Sequence, residues 1–210
     1  MFPQAIGLAA MFDTASTQQA ADITSTEARA KYAEESRHGD RDIYKGLTLW
    51  SPNINIFRDP RWGRGHETFG EDPFLTAELG KAYVHGLQGD DEHVLKTAAC
   101  AKHFAVHSGP ESLRHSFDAT ASPKDLEETY LPAFEALVKD AHVESVMGAY
   151  NRVNGEASCA SSFLMGKLKE WASTAISYPT AGQSGISTRT TISPKRRRSP
   201  PHSPFAPAAI

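Results

Sequence analysis

The stretch DPFLTAELGKAYVHGLQG at residues 72–89 and the stretch LKTAACAKHFAV at residues 95–106 decide the fold class. Asp72 is a helix-capping residue type, Pro73 suits a first helical turn, and Gly89 lies just beyond the last turn. The apolar residues of the first stretch form one stripe at helical spacing: Leu75, Leu79, Ala82, Tyr83 and Leu87. The second stretch is a short apolar run, which is typical of a buried strand. Together they predict a helix followed by a buried strand.

The same alternation continues on both sides of this pair. We predict helices at residues 15–37, from Ser122 onward, and at Ser162–Trp171, and strands at residues 47–57 and 143–150. The buried face of the helix that starts at Ser122 is expected to consist of Leu126, Tyr130, Phe134, Leu137 and Ala141. Regular alternation of strands and helices indicates a parallel α/β sheet with helices packed outside it.

Residues 172–210 break this pattern. They contain 7 Ser, 5 Thr and 6 Pro, no acidic residue and 5 basic residues, so their net charge is +5. Residues 1–171 hold 17 basic and 25 acidic residues, and 17 − 25 gives −8. Two regions this different rarely form one physical unit, so we predict a folded part at 1–171 and a disordered tail at 172–210.

Composition argues against several classes of protein. No apolar run reaches the roughly 18 residues that a membrane helix needs. The apolar start at residues 5–12 follows no Lys or Arg, so no export signal is visible and the localisation stays open. Cys100 and Cys159 match no disulfide framework or metal-ligand spacing, and we interpret both as small buried apolar residues in a reducing compartment. We expect no cofactor.

A first polar cluster surrounds Trp62 at residues 58–73. A Trp flanked by arginines and carboxylates suits a sugar, because the ring offers an apolar face and the charged groups hydrogen-bond to hydroxyls. The alternative, about equally favoured by composition, is a charged loop that buried Arg–Glu pairs hold rigid.

Two further polar clusters follow. Lys102 and His103 leave a buried strand and must find partners or water, which indicates a polar cleft, although a structural pair would look the same. His103 and His107 have an HxxxH spacing, but on an extended chain they would lie roughly 13 Å apart. No carboxylate or Cys ligand set completes a metal site, so none is expected. The third cluster, at residues 114–118, is a loop rich in hydrogen-bonding groups.

Four segments in this order resemble glycoside hydrolase family 3. They are DPRWGRGHETFGEDPFL (59–75), AKHFAVHSGPESLRHSFDA (101–119), ETYLPAFEALVKDA (128–141) and VMGAYNRVNGEASCAS (146–161). The sequence of these segments is most similar to the β-xylosidase branch, with β-glucosidases and α-arabinofuranosidases as alternatives. The resemblance spans residues 1–171.

The resemblance implies a (β/α)8 TIM-type barrel followed by an α/β sandwich domain. Members hydrolyse non-reducing-end β-linked sugars with retention: an Asp on the barrel attacks the anomeric carbon, and a carboxylic acid from the second domain commonly protonates the leaving group. The expected ligand is a β-linked xylo- or gluco-oligosaccharide. The residues that the resemblance assigns to sugar binding are Arg64, Lys102, His103, Arg114, Met147 and Tyr150.

The chain departs from the family pattern after Trp171. The family continues with a strand close to GIDGYIVSDC, whose Asp is the nucleophile, whereas this chain reads ASTAISYPTA at residues 172–181. A one-nucleotide shift in a coding sequence for GIDGYIVSDC yields ASTAISYPTA, with the nucleophile's codon split between Pro179 and Thr180. We therefore interpret the tail as a frameshifted reading and predict that the chain carries no catalytic residue.

With about three strand–helix units where eight close a barrel, and a start inside the family's FPQAIGLAA motif, we expect an incomplete barrel truncated at both ends. A non-catalytic sugar-binding remnant is a second hypothesis, weakened by the open sheet edges that such a barrel would have. A third is nucleic-acid binding by the basic run at 195–198, which the frameshift explains as accidental. We expect neither a nucleic-acid nor a membrane partner.

Overall fold

The structure is a computed structural model. It describes residues 1–91 and 93–171, together with the backbone of two strands in the tail. The first half contains α1 (Ala5–Ala9), α2 (Thr14–Arg37), β1 (Thr48–Leu49), α3 (Pro73–Gln88) and β2 (Ala98–Phe104). The second half contains β3 (Asp118–Ala119), α4 (Pro123–Asp125), a π-helical turn (Leu126–Tyr130), α5 (Pro132–Lys139), β4 (Ser145–Gly148), β5 (Arg152–Val153), β6 (Glu156–Ala157) and α6 (Ser162–Trp171). The tail strands are β7 (Ala175–Pro179) and β8 (Thr188–Ile192).

The main sheet has the strand order β1-β2-β4-β8-β7. The strands β1, β2 and β4 run parallel, with Lys102 of β2 opposite Met147 of β4. Asn53 bridges to Lys102 from the other side, so three chain segments lie side by side where β2 and β4 end. This parallel α/β arrangement confirms the predicted fold class, and the completeness of the barrel stays a prediction.

The helices begin where their capping residues predict. The Asp13 side chain accepts hydrogen bonds from the amides of Ala15 and Ser16, and the Asp72 side chain accepts one from Leu75. Ser122 and Asp125 form a reciprocal capping box.

The predicted apolar stripes face the core. Leu79, Ala82 and Leu87 are buried, as are Leu126, Phe134, Leu137 and Ala141, while Leu75, Tyr83 and Tyr130 are partly buried. The π-helical turn interrupts the helix that the sequence predicts to run on from Ser122. Cys100 and Cys159 are buried, as predicted.

The strands are shorter than the apolar runs that predicted them. The run at 47–57 contributes the two-residue β1 and a bridge at Asn53, and the run at 95–106 contributes seven residues to β2. A small sheet of β3, β5 and β6, which the sequence does not predict, packs loops from residues 118 to 157 together. Among the described residues, no helix is long and apolar enough to cross a membrane.

The tail is only partly described. The strands β7 and β8 pair antiparallel with each other, and β8 pairs antiparallel with β4. The other residues from 172 to 210, including Thr180 and the basic run at 195–198, lie outside the described residues. The predictions of a disordered tail and of a domain boundary at residue 171 therefore stay predictions.

Candidate functional site

The first component of the site is a two-point ion pair between Arg64 and Glu67. Its Nε donates to Oε1 of Glu67 at 2.7 Å, and its Nη2 donates to Oε2 of the same carboxylate at 2.6 Å. The Asn53 amide also donates to this carboxylate, at 3.4 Å. A two-point contact between guanidinium and carboxylate is among the strongest side-chain interactions and fixes the plane of the Arg64 head group.

Arg64 also contacts His103, which Asn55 orients. Nη1 of Arg64 lies 3.0 Å from Nε2 of His103. On the other side of the ring, Oδ1 of Asn55 lies 3.1 Å from Nδ1 of His103 and accepts a hydrogen bond from its backbone amide at 2.8 Å. The Asn55 amide nitrogen donates to the carbonyls of His103 and Ala105, so its oxygen must face the ring. His103 therefore carries its proton on Nδ1 and offers Nε2 as an acceptor.

Two cationic groups share this cluster with a neutral histidine. Burial, and after it the charges of His107 and Arg64, hold the pKa of His103 well below its ordinary value. Burial and the Arg64 charge also lower the pKa of Lys102, against the opposing charge of Glu67. The structure thus brings Arg64, Lys102 and His103 together, and their role in sugar binding stays a prediction.

His107 lies much closer to His103 than an extended chain would place it. Their ring centroids are 4.5 Å apart, so the expectation of roughly 13 Å was wrong. The reason is that β2 ends at Phe104 and the chain bends at Ala105, so the extended conformation does not continue to His107. Nδ1 of His107 lies 3.0 Å from Oδ1 of Asn151. Among the described residues, no group of three or more His, Cys, Asp or Glu side chains is arranged to hold a metal ion.

Trp62 is not an open platform for a sugar. It is only 3% exposed, and its ring packs edge-on against His107 at 5.8 Å and at a tilt of 59° against Phe57 at 6.3 Å. The interpretation of Trp62 as an apolar sugar-binding face is therefore wrong for this structure, because the ring is buried against His107. The alternative interpretation, a charged loop held by Arg–Glu pairs, fits the ion pair between Arg64 and Glu67.

Arg114 enters the cluster from a neighbouring loop. Its Nη1 donates to Oε1 of Glu111 at 2.7 Å, and Oε2 of Glu111 accepts from the Gly63 amide at 3.2 Å. The charge of Arg114 contributes to the lowered pKa of both His103 and His107, which places it near them.

Met147 and Tyr150 lie at the end of β4. Met147 is half-buried and pairs with Lys102 across the sheet. Tyr150 is 45% exposed, and its ring lies 4.9 Å from the His115 ring at an angle of 38°. The pair of rings forms an exposed aromatic edge next to Arg114. Among the predicted binding residues, this edge is the most open to solvent.

The donors of the cluster suit a polar uncharged or anionic ligand, and within the part of the chain that the structure describes both of its carboxylates, Glu67 and Glu111, are paired with arginines. Hydrogen bonds from Arg64 and Asn53 and the Arg64 charge lower the pKa of Glu67, although burial, the largest single influence, acts to raise it. Glu67 and Glu111 both have Arg partners. The segment where the nucleophile was expected reaches Pro179 in β7, whose side chain lies outside the described residues, as does Thr180.

Four site residues were absent from the sequence-based prediction: Asn55, Glu67, Glu111 and Asn151. A signal for Asn55 exists in the apolar stretch NINIF at 53–57, because a polar side chain in a buried strand must find partners. Glu67 and Glu111 stand three residues from an arginine, which is compatible with pairing but equally common on exposed helices. Asn151 carries no signal that distinguishes it from a loop residue.

Comparisons with known proteins identify the family of this chain. Residues 1–172 match the model of the glycosyl hydrolase family 3 N-terminal domain. A xylan 1,4-β-xylosidase of Xylanibacter ruminicola is 48% identical over 176 residues, which are 81% of this chain and 20% of that protein. β-D-Xylosidase 3 of Arabidopsis thaliana is 47% identical over 165 residues, 76% of this chain and 20% of that protein. The chain thus spans about a fifth of the length of these relatives.

Solved structures agree with the sequence relatives. A family 3 exo-β-xylosidase in complex with a xylobiose aziridine probe superposes with a TM-score of 0.69 and 41% identity, covering 78% of this chain and 21% of that one. A β-glucosidase of Listeria innocua in complex with laminaribiose gives a TM-score of 0.66 and 33% identity, covering 80% of this chain and 23% of that one. The family model covers most of the chain, and the chain therefore belongs to glycoside hydrolase family 3.

Proposed function

We propose that residues 1–171 bind the non-reducing-end xylose unit of a β-linked xylo-oligosaccharide, as part of a β-xylosidase-type glycoside hydrolase. The observation that carries the proposal is the Arg64 guanidinium, held at once by Glu67 and His103 beside the Lys102 ammonium. Rigid donors of this kind suit the vicinal hydroxyls of a sugar, because little entropy is lost when they bind.

Relatives favour xylose over glucose. The matched proteins with 42–48% identity are named as β-xylosidases, some with α-L-arabinofuranosidase as a second name. The matched β-glucosidase structures are 31–34% identical. A xyloside therefore serves as the first probe, and a glucoside as its comparison.

We further propose that the chain as it stands does not cleave the glycosidic bond. Retaining hydrolysis needs one carboxylate to form the glycosyl–enzyme bond and a second group to act as acid and then base. Glu67 and Glu111 are both held by arginines. The segment that carries the family's nucleophile reads ASTAISYPTA in this chain, which supports the interpretation of a one-nucleotide shift.

Titration of the 210-residue chain with methyl β-D-xyloside, followed by NMR, tests the binding proposal. We expect saturable shifts in the parent, and affinity at least about tenfold lower in Arg64→Ala, since each charge-assisted hydrogen bond contributes roughly 1.5–3 kcal/mol. Lys81→Ala, which alters a lysine on α3 paired with Glu78, should leave the affinity unchanged. A parent chain that folds but shows no saturable shift with either glycoside contradicts the proposal.

A further inference from the structure

Glu111 joins two loops that are distant in the sequence. Its carboxylate accepts a hydrogen bond from the Gly63 amide and another from Arg114, and its own backbone amide donates to the Arg61 carbonyl at 3.1 Å. Gly63 stands directly before Arg64 in the chain. One side chain thus connects the segments that present two of the site's cations.

The Glu111 side chain packs closely against Gly63. A Cβ atom added at Gly63 would lie 3.0 Å from the Glu111 carboxyl carbon and from Oε2. This distance is tighter than nine in ten real Cβ contacts, so a larger residue at 63 requires the Glu111 carboxylate, the end of a flexible side chain, to shift by a few tenths of an ångström. A methyl group at residue 63 would therefore disturb the contact between the two loops.

The Arg114 head group has donors to spare. Glu111 takes Nη1, and within the described residues Nε and Nη2 have no hydrogen-bond partner. Arg114 is 32% exposed and Glu111 is 40% exposed, so both reach the solvent side of the cluster. A guanidinium group is planar, so a contact at one nitrogen limits the positions that its remaining donors can take.

We infer that Glu111 is a positioning residue, which holds Arg114 against the loop of Arg64 so that both guanidinium groups contact one sugar. This inference rests on the proposed function of the site. An ordinary ion pair of similar exposure contributes little to stability, about 0–1 kcal/mol. The role of Glu111 therefore shows in ligand affinity more than in the free energy of unfolding.

A double-mutant cycle on the 210-residue chain tests this role, with methyl β-D-xyloside as ligand. We expect Arg114→Ala to weaken binding about tenfold and Glu111→Ala to weaken it several-fold. In the Arg114→Ala background, Glu111→Ala should have almost no further effect, because the residue that it positions is gone. Gly63→Ala should weaken binding less than Glu111→Ala does, because the new methyl group shifts the carboxylate without removing it.

Glu135→Ala is the matched control, since Glu135 pairs with Lys139 on α5 at similar exposure and outside the site. It should leave the affinity unchanged. Losses that add fully in the double variant, or an unchanged affinity in Glu111→Ala beside a clear loss in Arg114→Ala, overturn the inference while leaving the proposed function standing. Absence of xyloside binding in a folded parent chain overturns the proposed function itself.

Discussion

Arg64 donates from Nη1 to the Nε2 atom of His103 across 3.0 Å. This contact requires an unprotonated Nε2. Asn55 favours that state, because its side-chain oxygen accepts a hydrogen bond from Nδ1, which then carries the proton of the ring. The two bonds together hold His103 neutral in one tautomer. A histidine fixed in this way orients a ligand but has no proton to give at Nε2, which separates it from the general acids of glycoside hydrolysis.

Stability should fall as the pH is lowered from about 6.5 to about 5. Burial lowers the pKa of His103 and of His107 in the folded chain, so both bind protons more readily after unfolding. Unfolding then takes up protons in the window between the folded and unfolded pKa values, and the free energy of unfolding decreases with falling pH. The slope should not exceed about 1.4 kcal/mol per pH unit for each histidine.

Urea denaturation at several pH values measures this slope. The carboxylates with lowered pKa, such as Asp59 with a pKa of about 2, titrate below the window and do not interfere. His103→Gln should reduce the slope by the contribution of one histidine. A free energy of unfolding that stays constant between about pH 5 and 6.5 would show that neither ring is held neutral.

The helices were predictable because their signals are local. Asp72, Ser122 and Gly89 act within one turn of the chain, and the residues that follow repeat at helical spacing. The core residues on these helices followed from the same periodicity. The lengths of β1 and β2 could not be predicted in this way. An apolar run indicates burial but does not indicate where strand pairing ends.

The sequence predicted some residues of the cluster but not its geometry. The polar pair at the end of a buried strand and the family resemblance selected Lys102 and His103. The short distance between the His103 and His107 rings depends on the bend at Ala105, which no pattern in the apolar sequence predicts. The burial of Trp62 depends on the position of His107, so no local pattern distinguishes it from an exposed sugar-binding ring.

Removing Arg64 should make Glu67 a source of instability. Burial acts to raise the pKa of Glu67, and the hydrogen bonds and charge of Arg64 oppose it. Arg64→Ala should therefore cost about 1–3 kcal/mol of unfolding free energy near neutral pH. Adding Glu67→Gln to Arg64→Ala should recover part of this loss, since the double variant no longer holds a half-buried charge without a partner.

Chemical denaturation of the single and double variants gives both numbers. Arg37→Ala is the matched control, because the pair between Arg37 and Glu34 is largely exposed and its loss should change stability by no more than about 0.5 kcal/mol. If the double variant is less stable than Arg64→Ala alone, the carboxylate of Glu67 has a favourable role that does not involve Arg64.

Packing between α2 and α3 should depend on Gly86. A Cβ atom at this position would lie 2.3 Å from the Gln18 carbonyl oxygen and 2.7 Å from Cβ of Ala21. Gly86→Ala forces the two helices apart and should cost at least about 1–3 kcal/mol, despite the better helix propensity of alanine. Gly166→Ala in α6 meets nothing within 4 Å and should stabilise the chain by up to about 1 kcal/mol. Thermal unfolding followed by circular dichroism compares the two variants, and equal effects of the same sign would contradict the close approach.

The 210-residue chain should show no hydrolysis of an aryl β-xyloside or an aryl β-glucoside. In the proposed function Arg64, Lys102 and His103 hold the glycone, but binding the ground state alone does not lower the barrier of the chemical step. On the interpretation of a one-nucleotide shift, the segment that includes Pro179 and Thr180 stands where the family has its nucleophile, and neither side chain is a carboxylate.

The decisive comparison sets the chain beside a frame-restored chain, in which one nucleotide is returned near the codons for residues 170–172 and translation continues into the downstream sequence. Release of the aryl group should appear only in the frame-restored chain. It should vanish there when the aspartate of the restored VSDC-like segment is changed to alanine, because the glycosyl–enzyme bond can no longer form. Activity in the 210-residue chain that disappears on Lys102→Ala would mean that the catalytic groups lie within the cluster described above. Absence of a VSDC-like peptide in the restored frame would show that the tail has another origin.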